Sequence, residues 1–214
     1  MKRTTLLIAN VAIALTVAAI AWQPSIPFST KKTAVPELHD GDILFQSMGG
    51  RQGDAVALAT KCEWTHVGIA FQDNGQWMVY EAVGPVKKTP LSEWIEQGDG
   101  HYVVKRWTES AKLDAATSAK LKKAAAHYMG RAYDSQFLWS DDKIYCSELV
   151  WKMYAEGLGV RLCEPKALKD WSLNSELVQR MMKERYGSAP PMDEPMVAPA
   201  TLFDCPMLTT VLER

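Results

Sequence analysis

The sequence has little cysteine, and what it has is widely spaced, at Cys62, Cys146, Cys163 and Cys205. This spacing excludes the disulfide-dense scaffold of a small secreted domain, although a bond between Cys163 and Cys205 stays open. Cys62 and His66 stand four residues apart, but no CxxC or HxxxH pair completes a set of metal ligands. We therefore predict no metal site.

Surplus charge of one sign is also lacking. The chain carries 24 basic and 25 acidic residues, a net charge of −1, and it has no internal repeat or low-complexity stretch. Residues 1–21 hold Lys2 and Arg3 but no acid, so the remainder has a net charge of −3. Without a basic surplus, nucleic acid is not an expected partner. The ordinary composition and the length predict one globular domain with a substantial core.

The longest apolar run lies near the N-terminus. Sixteen uncharged residues, LLIANVAIALTVAAIA, follow the basic MKRTT, and Ala19-Ile20-Ala21 is typical of a signal-peptidase site. We predict a signal peptide at residues 1–21, a proline-rich tether at 22–37 and one periplasmic domain at 38–214. The alternative is an uncleaved anchor, because the run reaches the lower length limit of a membrane span. An anchor would keep the domain close to the membrane.

The order of local patterns predicts an α+β fold, because strand patterns cluster before residue 108 and helical patterns follow it. The expected strands cover 41–46, 65–71, 76–83 and 101–107. The expected helices follow Asp54, run from Pro90 (capped by Thr89) to Ile95, from Asp114 or Thr117 to Tyr128, from Cys146 to Gly157, and from Asn174 to Tyr186. The proline-rich tail from Ser188 is expected to wrap the surface.

Cys146 opens the segment CSELVWKMY, in which Leu149, Val150 and Met153 recur at helical spacing. Two interpretations are open: a small buried residue at the start of a core helix, which is common for unpaired cysteine, or a nucleophile. A helix N-terminus favours the second, since its dipole and free N–H groups stabilise a thiolate and an oxyanion. Glu148 in the first turn would raise the thiol pKa unless it points to solvent.

A nucleophilic thiol needs a base, and the chain has only four histidines. Three of them fit loop, turn or solvated helix positions, namely His39, His101 and His127. His66 differs, because it lies on the predicted strand THVGI, where Gly68 lets a partner approach closely.

A hairpin offers the group that would orient this base. If Asn74-Gly75 forms a two-residue type I′ turn, Glu81 becomes the diagonal neighbour of His66 on one face, about 7 to 8 Å away at the backbone. Cys146, His66 and Glu81 then make a Cys-His-Glu triad. A three-residue loop would instead send Glu81 to the opposite face, and His66 would be an ordinary half-buried histidine.

Five segments containing these residues together resemble the YiiX-like group of permuted NlpC-type, papain-like cysteine hydrolases. They are HDGDILFQ, ATKCEWTHVGIAF, YEAVGPVKKTPLSEWI, WSDDKIYCSELVWKMY and LTTV. The resemblance implies a circularly permuted papain-like fold, with a small antiparallel sheet packed against helices and with His66 and Glu81 preceding Cys146. It places the catalytic triad of the group on the same three residues.

The resemblance also implies an exported thiol hydrolase that cleaves an amide or peptide bond through an acyl-thioester, without a cofactor. The expected substrate is a cell-envelope peptide or a lipid-linked amino acid. An acyltransferase on lipid substrates and a non-catalytic envelope-binding module are the alternatives; a long apolar groove beside Cys146 would favour the acyltransferase. Tyr145 is a candidate oxyanion donor or pocket residue, with packing as its alternative role. The neighbouring aromatic residues, Tyr133 among them, are expected to pack or to form a pocket wall.

Overall fold

The computed structural model describes residues 37–214. The predicted signal peptide or anchor at 1–21, and the tether up to residue 36, lie outside the described residues and stay predictions. The described residues fall within one compact unit. None of their helices has the length and apolar character that crossing a membrane requires.

A six-stranded antiparallel sheet forms the centre of the fold. In their order across the sheet, its strands are β4 (Val86–Pro90), β3 (Gln76–Ala82), β2 (His66–Asp73), β1 (Ile43–Gln46), β5 (Tyr102–Trp107) and β8 (Leu208–Glu213). A second, two-stranded sheet pairs β6 (Lys166–Ala167) with β7 (Pro195–Met196).

Helices cover both faces of the main sheet. In the part of the chain described, they are α1 (Gly50–Thr60), α2 (Leu91–Gln97), α3 (Ala115–Tyr128), α4 (Cys146–Leu158), α5 (Glu176–Tyr186) and α6 (Pro199–Phe203). Leu121 of α3 and Leu149 of α4 are fully buried in the larger core on one face, while Trp94 of α2 is fully buried against the other. The predicted α+β class is confirmed.

The hairpin between β2 and β3 has the predicted register. Asp73 pairs with Gln76, and the two turn residues Asn74 and Gly75 both have positive φ, 51° and 82°, as a type I′ turn requires. On this hairpin the absence of a side chain at Gly68 matters, because a Cβ there would lie 2.4 Å from Val79 Cγ1. The two strands therefore approach closely beside His66.

Three local predictions were wrong. Helix α1 begins at Gly50 rather than after Asp54, and it includes Gly53, which packs against the preceding chain: a Cβ there would lie 1.7 Å from the Met48 carbonyl oxygen. Thr89 does not cap a helix but lies in β4, and Pro90 takes the N-cap position of α2. The tail does not merely wrap the surface, since it contributes β8, which pairs with β5.

Candidate active site

His66 and Glu81 are in direct contact. His66 begins β2 and Glu81 lies near the end of β3, and both side chains are almost completely buried. The two-residue turn places them on one face of the sheet, where the His66 Nε2–H donates to Glu81 Oε2 at 2.7 Å. This bond leaves the Nδ1 atom of the imidazole for another partner.

Cys146 is the first residue of α4, and its side chain is only 4% exposed. The thiol lies in hydrogen-bonding contact with the His66 ring and with the N–H of Val67. The first N–H groups of α4, which Cys146 opens, have no partners within the helix. The two interpretations of this cysteine are therefore compatible, since it is buried and also placed at a helix N-terminus.

The charged forms of Cys146, His66 and Glu81 stabilise one another. Burial alone would raise the pKa of the Cys146 thiol, but the hydrogen bond and charge of His66 outweigh burial and bring that pKa below its ordinary 9.0. Burial also opposes charge on His66, yet its bonds to Cys146 and Glu81 raise the imidazole pKa to about 9. The pKa of Glu81 is lowered, because the His66 contacts outweigh its burial. The arrangement favours a thiolate, an imidazolium and a carboxylate together.

Glu148 does not point to solvent, which was the arrangement in which its charge would not raise the pKa of the Cys146 thiol. It is fully buried, and burial raises its pKa to about 7 against the opposing influence of Lys152. The Lys152 ammonium lies 2.8 Å from Glu148 Oε1 and 2.6 Å from Asp141 Oδ1. The negative charge that would raise the pKa of the Cys146 thiol is thus offset by a paired cation and by partial protonation.

Thr89 extends the site behind Glu81, and the sequence did not reveal this role. Its hydroxyl donates to Glu81 Oε1, the oxygen that His66 does not use, so both carboxyl oxygens have partners. The Trp94 ring lies on the same face, with its centroid 6.1 Å from that of His66. Thr89 therefore fixes the carboxyl group, and Trp94 shields the imidazole from solvent.

Tyr133 brings a phenol hydroxyl to the Cys146 thiol. Its hydroxyl contacts the Cys146 thiol, and burial together with the charge on that thiol raises the pKa of Tyr133. Gln52 Nε2 donates to the Tyr133 oxygen at 2.9 Å. Since the oxygen already accepts one bond, the hydroxyl hydrogen is free to donate towards Cys146. The sequence indicated only packing or a pocket wall for Tyr133, and it gave Gln52 no role.

Tyr145 lines the same pocket, but its hydroxyl is directed elsewhere. The side chain is 2% exposed, and its oxygen accepts a hydrogen bond from the N–H of Val197 at 3.2 Å. The other three histidines lie outside the contact with Cys146: His39 and His127 are exposed, and His101 stacks near Trp64. Of the four histidines, the structure brings only His66 to the thiol.

A pocket of about 100 Å³ opens beside Cys146. It lies between α1, α5 and the segment around β7, and most of its wall is apolar. The apolar wall residues include Val56, Phe137, Leu168, Trp171, Leu173, Val178, Met181, Met182, Met196 and Pro199. Arg185 of α5 contributes the one guanidinium of this wall among residues 37–214.

Comparisons with known proteins identify relatives of the whole domain. A family model described as "Permuted papain-like amidase enzyme, YaeF/YiiX, C92 family" matches residues 37–212. The uncharacterized protein YiiX of Escherichia coli strain K12 is 42% identical over 201 residues, which cover 94% of this chain and 92% of that protein. A crystal structure of yiiX from Escherichia coli O157:H7 is similar with a TM-score of 0.78 and 45% identity, covering 82% of this chain and 97% of the other.

The E. coli O157:H7 protein is described as a metalloprotein. Within residues 37–214 of the present chain, no three His, Cys, Asp or Glu side chains lie close enough together to hold a metal ion. His66, the imidazole beside the thiol, already binds Glu81. All four cysteines are free thiols, including Cys163 and Cys205. These residues do not fit a metal, and we derive no step through one.

The order of the site along the chain agrees with these comparisons. The strands that carry His66 and Glu81 precede the helix that Cys146 opens, as the predicted permutation requires. The predicted fold class, a circularly permuted papain-like α+β fold with a small antiparallel sheet, is confirmed. The chain therefore belongs to the YaeF/YiiX, C92 family of permuted papain-like amidases.

Proposed function

We propose that this protein is an exported thiol amidase that uses Cys146 as nucleophile, His66 as base and acid, and Glu81 to orient His66. One observation carries the proposal: the Cys146 thiol contacts an imidazole that is held by a buried carboxylate 2.7 Å away. A thiol, a base and an orienting acid in this geometry are what acyl transfer through cysteine requires.

The reaction has two steps. The Cys146 thiolate attacks the amide carbonyl carbon, and the C–N bond breaks as His66 gives its proton to the leaving nitrogen. Water then attacks the thioester carbon while His66 takes a proton from it; the C–S bond breaks and the carboxylic acid leaves. In this proposal the Tyr133 hydroxyl, which lies beside Cys146, and the first N–H groups of α4 stabilise the oxyanion formed in each step. No cofactor enters either step.

The pocket favours a substrate with an apolar portion. Its wall consists mainly of leucine, methionine, tryptophan and phenylalanine side chains, so binding of a hydrocarbon group there is favourable because it removes that group from water. The same wall offers few hydrogen-bond partners to a sugar or a polar peptide. Of the two substrate classes expected from the sequence, this supports a lipid-linked amino acid over a cell-wall peptide.

The same wall supports a second candidate, an acyltransferase on lipid substrates. The first step is identical, but an amine or alcohol replaces water in the second step. From the sequence we expected an apolar groove beside Cys146 to favour this activity, and the wall of the pocket beside Cys146 is mostly apolar. The two activities differ in the acceptor, so product analysis distinguishes them.

Export is part of the proposal and rests on residues 1–21, whose apolar run and Ala19-Ile20-Ala21 pattern are typical of a signal peptide. Cleavage there would release the domain into the periplasm, while retention would hold it at the membrane. N-terminal sequencing of the protein recovered from the periplasmic fraction tests this. A chain that begins at Trp22 supports cleavage, and recovery only in the cytoplasm contradicts export.

The catalytic proposal is tested with decanoyl p-nitroanilide, a long-chain acyl amide, and intact-mass spectrometry. We expect wild type to release p-nitroaniline and to carry a decanoyl adduct of one equivalent on Cys146. The Cys146→Ala variant should do neither while keeping its fold by circular dichroism. Cys62→Ala is the matched control, because Cys62 is a free, half-buried thiol outside the pocket.

Equal labelling of wild type and Cys146→Ala by iodoacetamide would refute the nucleophile. If ethanolamine in the reaction yields N-decanoyl ethanolamine faster than decanoate, the acyltransferase is the better description. Release of muropeptide fragments from peptidoglycan, with no action on the decanoyl amide, would favour the cell-wall peptide.

A further inference from the structure

Arg185 is a cation in an apolar pocket that has no ionic partner within the described part of the chain. Its guanidinium lines the pocket that holds Cys146 and lies over the Phe137 ring, 4.7 Å from the ring centroid. One N–H of this group donates to Gln52 Oε1 at 3.1 Å. Among residues 37–214, Arg185 forms no ion pair within 4.0 Å. A guanidinium has five N–H donors, and the bond to Gln52 is the only side-chain hydrogen bond of Arg185 among residues 37–214.

Two acids whose charges act on Arg185, Glu184 and Asp134, form hydrogen bonds with other groups. Both oxygens of Glu184 accept from Arg51, at 2.7 and 2.9 Å. The oxygens of Asp134 accept from the backbone N–H groups of Gln136 and Leu138, at 2.9 and 2.6 Å. Their charges act on Arg185 only from a distance, and burial lowers its pKa against them. Among residues 37–214, no carboxylate therefore forms an ion pair that offsets the free-energy cost of desolvating Arg185.

Two other cations of the domain, Arg106 and Lys152, are paired with carboxylates, whereas the buried Lys105 donates to the Phe203 carbonyl and lies over the Phe203 ring. Arg106 makes two bonds of 2.7 Å to the two oxygens of Asp42. Lys152 lies between Glu148 and Asp141. Burying a charge is costly unless it is paired, and these two obey that rule. Arg185 differs in facing a cavity rather than a carboxylate.

Arg185 is also connected to the nucleophile through two residues. Gln52 receives a hydrogen bond from Arg185 and donates one to the Tyr133 oxygen, and the Tyr133 hydroxyl contacts Cys146. The hydroxyl of Tyr133 experiences the charges of both Arg185 and Cys146. A small ligand at Cys146 is thus within reach of the guanidinium.

We propose that Arg185 is a carboxylate subsite, and that the substrate is an N-acyl amino acid whose free carboxylate binds this guanidinium. The inference rests on the proposed amidase function. The amide carbonyl lies at Cys146, the hydrocarbon chain lies in the apolar pocket, and the carboxylate, two bonds beyond the amide nitrogen, completes the partners of Arg185. A planar guanidinium suits a planar carboxylate, since two parallel N–H···O bonds form.

The test measures binding and does not depend on turnover. N-decanoyl-glycine and its uncharged analogue N-decanoyl-glycinamide are titrated by calorimetry into Cys146→Ala. We expect the carboxylate to bind about tenfold more tightly or better, because charged hydrogen bonds of this kind are worth that much. In Cys146→Ala with Arg185→Gln the two affinities should become equal. Cys146→Ala with Arg180→Gln is the control, since Arg180 lies exposed on the same helix and pairs with Glu176.

Several results would overturn the carboxylate subsite. They are equal affinity for the two ligands, a preference that survives Arg185→Gln, failure of both ligands to bind, and tighter binding of dodecyl phosphate than of N-decanoyl-glycine. Arg185→Lys keeps the charge but not the two parallel donors, so it should keep part of the preference for N-decanoyl-glycine over the glycinamide. If Arg185→Gln does not fold, an unchanged preference in Arg185→Lys would overturn the subsite.

Turnover separates this inference from the amidase proposal. With catalytically intact protein, Arg185→Gln should reduce kcat/KM for N-decanoyl-glycine about tenfold and change kcat/KM for the glycinamide little. An equal loss on both would mean that Arg185 only positions Gln52 and Tyr133, and the subsite would be refuted while the amidase stands. An absence of decanoyl adduct on Cys146 with every amide would instead refute the amidase.

Discussion

The hydroxyl of Thr89 on β4 donates to Glu81 Oε1, while His66 donates to the other oxygen of the same carboxyl group. Glu81 is fully buried and has no water contact to replace either partner. The strand β4 therefore contributes to the orientation of the base, although none of its residues contacts the thiol in this arrangement. Loss of the Thr89 hydroxyl should affect both stability and catalysis.

Thr89→Val is expected to lower the free energy of unfolding by about 1–3 kcal/mol, because a buried carboxyl oxygen loses its donor. Urea denaturation measures this loss. The rate of Cys146 alkylation by iodoacetamide at neutral pH should also fall, since a loosely held Glu81 supports the imidazolium less well. Thr89→Ser keeps the hydroxyl and should retain most of both. Equal stability and equal alkylation in Thr89→Val would show that the hydroxyl does not position Glu81.

The pH dependence of turnover, measured as p-nitroaniline release from decanoyl p-nitroanilide, should report the charges of Cys146 and His66. The pKa of the thiol is lowered from 9.0 and that of His66 is raised to about 9, so the thiolate–imidazolium pair exists between these two values. Turnover should fall as the pH drops through the lowered thiol pKa, where the thiolate is protonated. It should fall again above about pH 9, where His66 loses the proton needed by the leaving nitrogen.

Glu81→Gln removes the carboxylate that favours the imidazolium. The pKa of His66 should then fall and the pKa of Cys146 should rise, moving the midpoint of alkylation upward by about one pH unit or more. Glu93→Gln is the control, because Glu93 is an exposed acid on α2. An unchanged midpoint in Glu81→Gln would show that the carboxylate does not support the charge on His66.

Tyr133→Phe tests the hydroxyl beside the nucleophile. If this hydroxyl stabilises the oxyanion, kcat for decanoyl p-nitroanilide should fall about 100-fold with a much smaller change in KM. Tyr80→Phe removes a hydroxyl that donates to Asp73 outside the pocket and should leave kcat unchanged. A rise in KM alone would instead assign Tyr133 to substrate binding.

Gly68→Ala tests the close approach of β2 and β3. The added Cβ would lie 2.4 Å from Val79 Cγ1 and 3.5 Å from Glu81 Cβ, so the strands must separate. We expect a loss of about 1–3 kcal/mol in the free energy of unfolding, measured by urea denaturation. Gly49→Ala, with no atom within 4 Å of the added Cβ, should cost less. Equal losses would show that the hairpin accommodates a side chain beside His66.

The His66–Glu81 contact was predictable because both of its determinants are local. The Asn74-Gly75 dipeptide determines the turn, and the two-residue period of the strands then determines which side chains share a face. The start of α4 was predictable for a similar reason, since Leu149, Val150 and Met153 show helical spacing and are fully buried. Neither prediction required knowledge of distant contacts.

Thr89 and Tyr133 escaped prediction because their roles depend on distant contacts. A threonine before proline is a normal helix-cap signal, and only the pairing of β4 with β3 directs its hydroxyl to Glu81. Tyr133 reaches Cys146 from a loop, held by a single bridge to Ile144. In the tail, the prolines indicated irregular chain, whereas pairing with β5 makes residues 208–213 a strand.

The contacts between the tail and the start of α4 determine when the surroundings of Cys146 can form during synthesis of the chain. The hydroxyl of Ser147, next to Cys146, donates to the Val197 carbonyl at 2.7 Å, and the N–H of Val197 donates to the Tyr145 oxygen. The walls on both sides of Cys146 are thus completed by a segment synthesised 50 residues later. A chain still emerging from a ribosome holds its Cys146 thiol without these supports, so the surroundings of Cys146 form only when nearly all of the domain has been synthesised.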